Sequence, residues 1–198
     1  LVRRWGRADV DGLGCSGITR EGLDCERGNG RWSDIRLFDR PVALKLDVEG
    51  QERYAVIGGL DDEYALLHRG DEVRRMPIAV LDERWSGDFL LLWQLPPGGV
   101  RMIGAGAYGD AVHWIRDRLA ALPDVGITSP GPVRWDRALT DAVRRFQSQQ
   151  GLVSDGIAGP RTLILLSNAL DDASVPRLTP AAEIAAPEES ARAPTESP

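Results

Sequence analysis

Apolar residues follow two different periods along this chain, and the period changes near residue 95. Up to that point the pattern after residue 40 is that of strands. In "PVALKLDV", Val42, Leu44, Leu46 and Val48 alternate onto one face, the two-residue period of a half-buried strand. "RYAVIGGLDDEYALLHRG" predicts a hairpin with strands over 54–57 and 64–67 and a turn at Asp61-Asp62. "MPIAVLDERW" predicts a short helical turn, and the continuous run in "WSGDFLLLW" predicts a buried strand. The glycine-containing stretch 15–23 is read as a helix.

From residue 104 the spacing becomes helical. Val112, Ile115 and Leu119 form one stripe over 110–122, and Leu139, Ala142, Val143 and Phe146 face inward over 136–149. A third helix over 160–168 is expected to bury Leu163 and Leu166, and Leu170 beyond its end. Gly151 follows the second helix where a left-handed cap is favoured, "SDG" supplies turn chemistry, and Pro160 stands where a helix can begin without an amide hydrogen. Three short helices joined by sharp turns predict one small core.

Composition marks the boundaries. "QLPPGGV" separates the two regions, with paired prolines and glycines that predict a linker. From residue 173 the chain is mostly Ala, Pro, Glu and Ser, which cannot bury enough apolar area to offset its ordering entropy, so disorder is expected there. The net charge of -6 is uneven: residues 171–198 hold six acidic residues and two arginines, a balance of -4 that leaves -2 for the rest. No basic face interleaved with aromatics emerges, which argues against nucleic acid. No run of about 18 apolar residues is present. A chain that starts at Leu1 without a signal peptide reads as a piece whose targeting and anchoring signals lie outside it.

The two cysteines, Cys15 and Cys25, have no histidine nearby, the chain's histidines being His68 and His113, so no metal site is predicted. The residues leave two readings: a local disulfide in an oxidising compartment, or a nucleophilic thiol with a bystander.

"GDAVHWIRDRL" and "RWDRALTDAVRRFQSQQGLVSDGIAGPRTLILL" closely resemble the small bacterial peptidoglycan-binding domain. Its pattern of an Ala-Val-x-x-Phe-Gln helix followed by Gly-Leu-x-x-Asp-Gly-x-x-Gly-x-x-Thr is filled by Ala142, Val143, Phe146, Gln147, Gly151, Leu152, Asp155, Gly156, Gly159 and Thr162. The resemblance implies peptidoglycan as ligand. The residues taken as its contacts are Trp135, Arg145, Gln147, Asp155, Gly156 and Thr162, because an amide, a guanidinium and an aromatic face suit a polar sugar–peptide polymer.

Residues 35–93 resemble the later half of the papain-like cysteine peptidases that trim bacteriocin leaders. That family needs a thiolate, an imidazole and an acceptor that orients it. Carried over, the nucleophile place falls on Cys15, the base place on Arg53 or Tyr54, and the acid place near His68, while the oxyanion-supporting Gln ahead of the Cys is missing. Two of three roles fail, so the implied domain is a degenerate peptidase with no cofactor.

The pairing of both regions is similar to the periplasmic part of the general secretion pathway protein A family. Its pattern is filled by Cys15, Gly22, Leu23, Cys25, Gly30, Trp32, Arg40, Pro41, Trp85, Gly87, Phe89, Leu92 and Trp93. That resemblance implies a periplasmic setting, anchorage to the inner membrane through a missing N-terminal span, a membrane-protein partner and a role in type II secretion. It also implies that Cys15 and Cys25 form a disulfide.

The expected protein is α+β: a degenerate papain-like domain with an antiparallel sheet over 1–94, a linker over 95–103, a three-helix peptidoglycan-binding domain over 104–172 and a disordered tail over 173–198. A non-catalytic wall-binding role is expected. The rivals are a cysteine hydrolase using Cys15 and a helical module that docks protein instead of wall.

Overall fold

The computed structural model describes residues 1–5, 22–170 and 172–183. Six strands form one antiparallel sheet: β1 (Leu23–Asn29), β2 (Val42–Val48), β3 (Gln51–Leu60), β4 (Tyr64–Arg69), β5 (Glu72–Pro77) and β6 (Trp85–Gln94), in the order β1-β6-β2-β3-β4-β5. Two short helices accompany it, α1 (Trp32–Phe38) and α2 (Ile78–Asp82). Three more follow: α3 (Asp110–Ala120), α4 (Arg137–Gln149) and α5 (Pro160–Leu166). The architecture is the mixed α+β arrangement that the two periods predict.

β6 lies inside the sheet, paired with β1 on one side and β2 on the other. Its apolar run is buried on both faces, which is why it reads as continuous instead of alternating. Phe89, Leu91 and Trp93 join the main core, whereas Leu92 packs with Trp5, Leu23, Cys25 and Val175 on the other face. The expected hairpin is present, its turn held by Asp61 Oδ1, which accepts from the amides of Glu63 (2.9 Å) and Tyr64 (2.7 Å). Leu23 stands in a strand, paired with Gln94, and not in the helix read over 15–23; most of that stretch lies outside the described residues. Strands β1 and β5 and helix α1 are absent from the sequence reading because Gly, Asn, Asp and Arg interrupt their apolar patterns.

The main core does not stop at residue 94. One continuous cluster runs from Ile35, Phe38 and Leu44 through Trp93, Leu95 and Ile103 to Val112, Leu139, Phe146 and Leu166. Helix α5 therefore has neighbours on nearly every side, and Ile164 and Leu165 are buried along with Leu163 and Leu166, while Leu170 is exposed. Arg40 is fully buried at this junction; its guanidinium donates to Ser167 Oγ (2.7 Å) and to the Asp39 carbonyl (2.9 Å). Burial, reinforced by the Arg177 cation, pulls its pKa down to about 10. The stretch read as a linker is itself pinned, with Arg101 Nε 2.8 Å from Asp24 Oδ2 and Ile103 exchanging backbone hydrogen bonds with Ala158.

Residues 172–183 depart from the expected disorder. Val175 and Ala181 are buried, Thr179 bridges Gly59, and the Leu60 amide donates to the Thr179 carbonyl (2.9 Å). The approach depends on Gly59, where a Cβ would come within 2.6 Å of that carbonyl oxygen. Composition gave no sign of this strap because its anchors are a few residues matched to a distant strand, not a periodic face.

Candidate functional site

Helix α4 begins with Asp136, whose Oδ1 accepts from the Leu139 amide (2.7 Å) and whose Oδ2 takes an ion pair from buried Arg116 (2.9 Å). Those bonds hold its carboxyl below the ordinary range, the Leu139 amide contributing most. The helix ends at Gln149, and the chain leaves it through Gly151 and turns at Gly156, both in the left-handed region that glycine tolerates. At Gly156 a Cβ would also meet Thr140 Cγ2 at 2.9 Å and Arg144 Nε at 3.0 Å, so the turn closes directly onto α4.

Gln147 organises this turn from within. It is 2% exposed; its Nε2 donates to Asp155 Oδ1 (3.0 Å), the Ile157 carbonyl (2.9 Å) and Thr162 Oγ1 (3.2 Å), and its Oε1 accepts from the Gly156 amide (2.9 Å). Asp155 remains exposed, and the Ile157 amide first, then Gln147, lower its pKa.

Around this turn lies a cleft of about 400 Å³ lined by Gln147, Leu152, Asp155, Pro160 and Thr162, by Arg161, and by Glu26 of β1. Met102, Val153 and Ile157 complete it and are exposed, Val153 by 82% and Met102 by 65%. Large apolar side chains gathered at one exposed cleft beside convergent polar groups are the features of a recognition surface. Glu26 is half-buried; burial raises its pKa, opposed by Arg101 and Arg161. The cleft thus offers an acidic end, a guanidinium and an apolar wall.

The expected contact residues divide. Gln147, Asp155 and Thr162 line the cleft, and Gly156 forms its supporting turn. Gln147 and Thr162 are buried and bonded to each other, so their part is to shape the wall rather than to reach outward. Trp135 lies elsewhere, 6% exposed, with its indole N–H given to Thr140 Oγ1 (2.8 Å), a helix-junction role. Arg145 is exposed but faces away, its Nε donating to the Val125 carbonyl (2.7 Å). Glu26, Met102, Val153, Ile157 and Arg161 were not expected. Val153 and Ile157 had a local signal, as apolar residues in an otherwise polar glycine turn; Glu26 and Met102 arrive by tertiary folding alone.

The peptidase places are not assembled among the described residues. Tyr54 is 66% exposed, Arg53 donates to Gln51 Oε1 (2.5 Å), and His68 faces the Arg4 guanidinium, with burial first and that cation second lowering its pKa. Cys25 is disulfide-bonded, and Cys15 lies outside the described residues. No group of three or more His, Cys, Asp or Glu side chains suited to a metal ion occurs among the described residues.

A six-stranded antiparallel sheet followed by three helices around a glycine turn defines the class of protein. Residues 1–95 match the family "GspA, peptidase C39-like domain", and residues 108–166 match the peptidoglycan binding domain family. The chain is a GspA C39-like domain followed by a domain of that second family. It is 31% identical over 183 residues, 90% of its length, to general secretion pathway protein A of Aeromonas hydrophila. A zinc D-Ala-D-Ala carboxypeptidase of Streptomyces albus G is 36% identical over 74 residues. The chain spans about a third of each relative, 32% and 29% respectively. The crystal structure of a periplasmic domain of the EpsAB fusion protein of the Vibrio vulnificus type II secretion system superposes with a TM-score of 0.58 at 25% identity, covering 86% of this chain and 75% of that one.

Proposed function

We propose that this chain binds peptidoglycan in the periplasm through the cleft beside the α4–α5 turn, and that it does so without catalysis, helping to place a type II secretion complex through the wall. The observation that carries the reading is the cleft itself. Exposed Val153 and Ile157 stand beside Asp155 and Arg161 within the region that matches a peptidoglycan binding domain, and Met102 and Glu26 join them from outside it. A stem peptide presents ammonium, carboxylate and methyl groups to match those acidic, basic and apolar elements. The secretion relatives supply the setting, and the C39-like domain serves as scaffold and as the docking face for a membrane-protein partner.

Three observations favour a non-catalytic role. The base place carries no imidazole, His68 is held beside a cation, and Cys25 has no free thiol. A Cys15–Cys25 bridge, which this reading includes, would also remove the thiolate that cysteine hydrolysis requires. Domain limits of 1–94, 104–172 and a tail from 173 belong to the same reading as sequence segments, although the first two share a core.

The test is sedimentation of the whole chain with purified sacculi, beside Val153→Asp and Arg161→Glu, two exposed positions whose change spares the fold. Pelleting of the parent and its loss in both variants is expected. A parent that stays in the supernatant while keeping its native spectrum would sink the wall reading and favour protein docking.

A further inference from the structure

We infer that the C39-like domain carries a second ligand site, a saccharide groove built on Trp32 and Trp85. The two indoles pack with ring centroids 4.6 Å apart and planes tilted by 56°. Each is fixed by its own polar tip: Trp32 Nε1 donates to Asp82 Oδ1 (2.5 Å) and Trp85 Nε1 to the Asp88 carbonyl (2.8 Å). Both line a groove of about 670 Å³, within the roughly 300–1,000 Å³ of small-ligand sites. This groove and the α4–α5 cleft share no lining residue.

The chemistry of the lining selects the ligand. Asn29, Ser33, Ser86 and Asp82 are exposed along it, with Asp34 beside them. An indole offers an apolar surface to the C–H side of a pyranose ring, and planar amides and carboxylates accept hydrogen bonds from its hydroxyls. The lining carries two carboxylates, Asp34 and Asp82, and one guanidinium, Arg31, a balance that disfavours phosphate or another anion. A neutral pyranose chain satisfies both halves. The indoles are held by internal hydrogen bonds and the backbone by Gly30 N–H donating to the Gly87 carbonyl (3.1 Å), so the groove is preorganised and little ordering entropy opposes binding. The saccharide site stands on this geometry alone; the wall's glycan strand as its source rests on the reading proposed above.

The experiment titrates the whole chain with the tetramer of β-1,4-linked N-acetylglucosamine, followed by calorimetry and by the indole N–H resonances. Saturable binding that shifts the Trp32 and Trp85 resonances is expected. Ser86→Arg, which fills the groove from an exposed position, should weaken binding by about tenfold, the loss of one charge-assisted hydrogen bond or more. Val153→Asp should leave it intact. The proposal is overturned if the tetramer does not bind, if Val153→Asp abolishes binding while Ser86→Arg does not, or if sugar-free stem peptide moves the same indoles. Tetramer binding by a chain that fails to pellet with sacculi would keep the groove and sink only the wall reading.

Discussion

The side-chain amide of Gln147 and the carboxylate of Asp155 meet at 3.0 Å, and the turn that shapes the cleft is organised around that bond. Gln147 occupies a buried position, and its carbonyl takes the Gly156 amide while its nitrogen reaches Ile157 and Thr162. Gln147→Ala would leave several of these groups without partners inside the protein, at a cost of about 2 kcal/mol. Urea denaturation should show that loss, and any failure of wall binding in this variant should track unfolding. A variant as stable as the parent would mean that the network contributes nothing.

Acid should loosen the same region. Asp136 and Asp155 both have folded pKa values below their ordinary 3.8, held down chiefly by the Leu139 and Ile157 amides. A carboxylate with a depressed folded pKa contributes stability that is present above the unfolded value and lost as pH falls through the folded one. Urea midpoints should therefore be flat from neutral pH down to about 4 with respect to these groups, then fall below it. Asp155→Asn, which still accepts the Ile157 amide, should shrink the acid-dependent part of that fall. An unchanged pH profile in this variant would reject the assignment.

How far the sequence reaches depends on the length scale of each feature. Val42–Val48 and Arg137–Gln149 announce themselves because each buries one regular face. The motif singles out Gln147 and Thr162, yet a motif does not say whether an amide faces ligand or locks a turn; here it locks the turn. The continuity of the core across 95–103 and the strap at Thr179 depend on contacts more than 60 residues apart in sequence, as in Arg101–Asp24 and Thr179–Gly58. No local period encodes those. The same holds for Glu26 and Met102, which reach the cleft from outside the glycine turn.

Arg40 gives the junction a buried positive charge; among the described residues its donors go to Ser167 Oγ and the Asp39 carbonyl, and no carboxylate is bonded to it directly. Ser167 Oγ also donates to the Ile164 carbonyl (2.6 Å), so it keeps a partner if the guanidinium is removed. Desolvating a charge opposes folding, and apolar replacements of similar volume are often neutral or stabilising. Arg40→Met should therefore leave the melting temperature unchanged or raised. Arg40→Ala, which leaves a cavity where the buried side chain stood, should cost about 3 kcal/mol. Equal losses in both variants would show that the guanidinium's hydrogen bonds outweigh its desolvation.

Asp39 ends α1 in the left-handed conformation, φ 50°, and its carboxylate clamps the strap, accepting from Arg177 Nη1 (2.8 Å) and the Leu178 amide (3.1 Å). Two roles sit on one residue, and one substitution separates them. Asp39→Gly keeps a backbone suited to positive φ and relieves the strain of a side chain there, while removing the clamp. Helix α1 should survive, since its capping bond from the residue 39 amide to the Ile35 carbonyl (3.1 Å) is a backbone one. The strap should loosen: amide exchange at Leu178, Thr179 and Leu60 should accelerate at least several-fold, with Ile57 and Leu91 unchanged in the sheet interior. If exchange at Leu60 and Thr179 stays at the parent rate, the strap's other contacts hold it and the Asp39 clamp is dispensable.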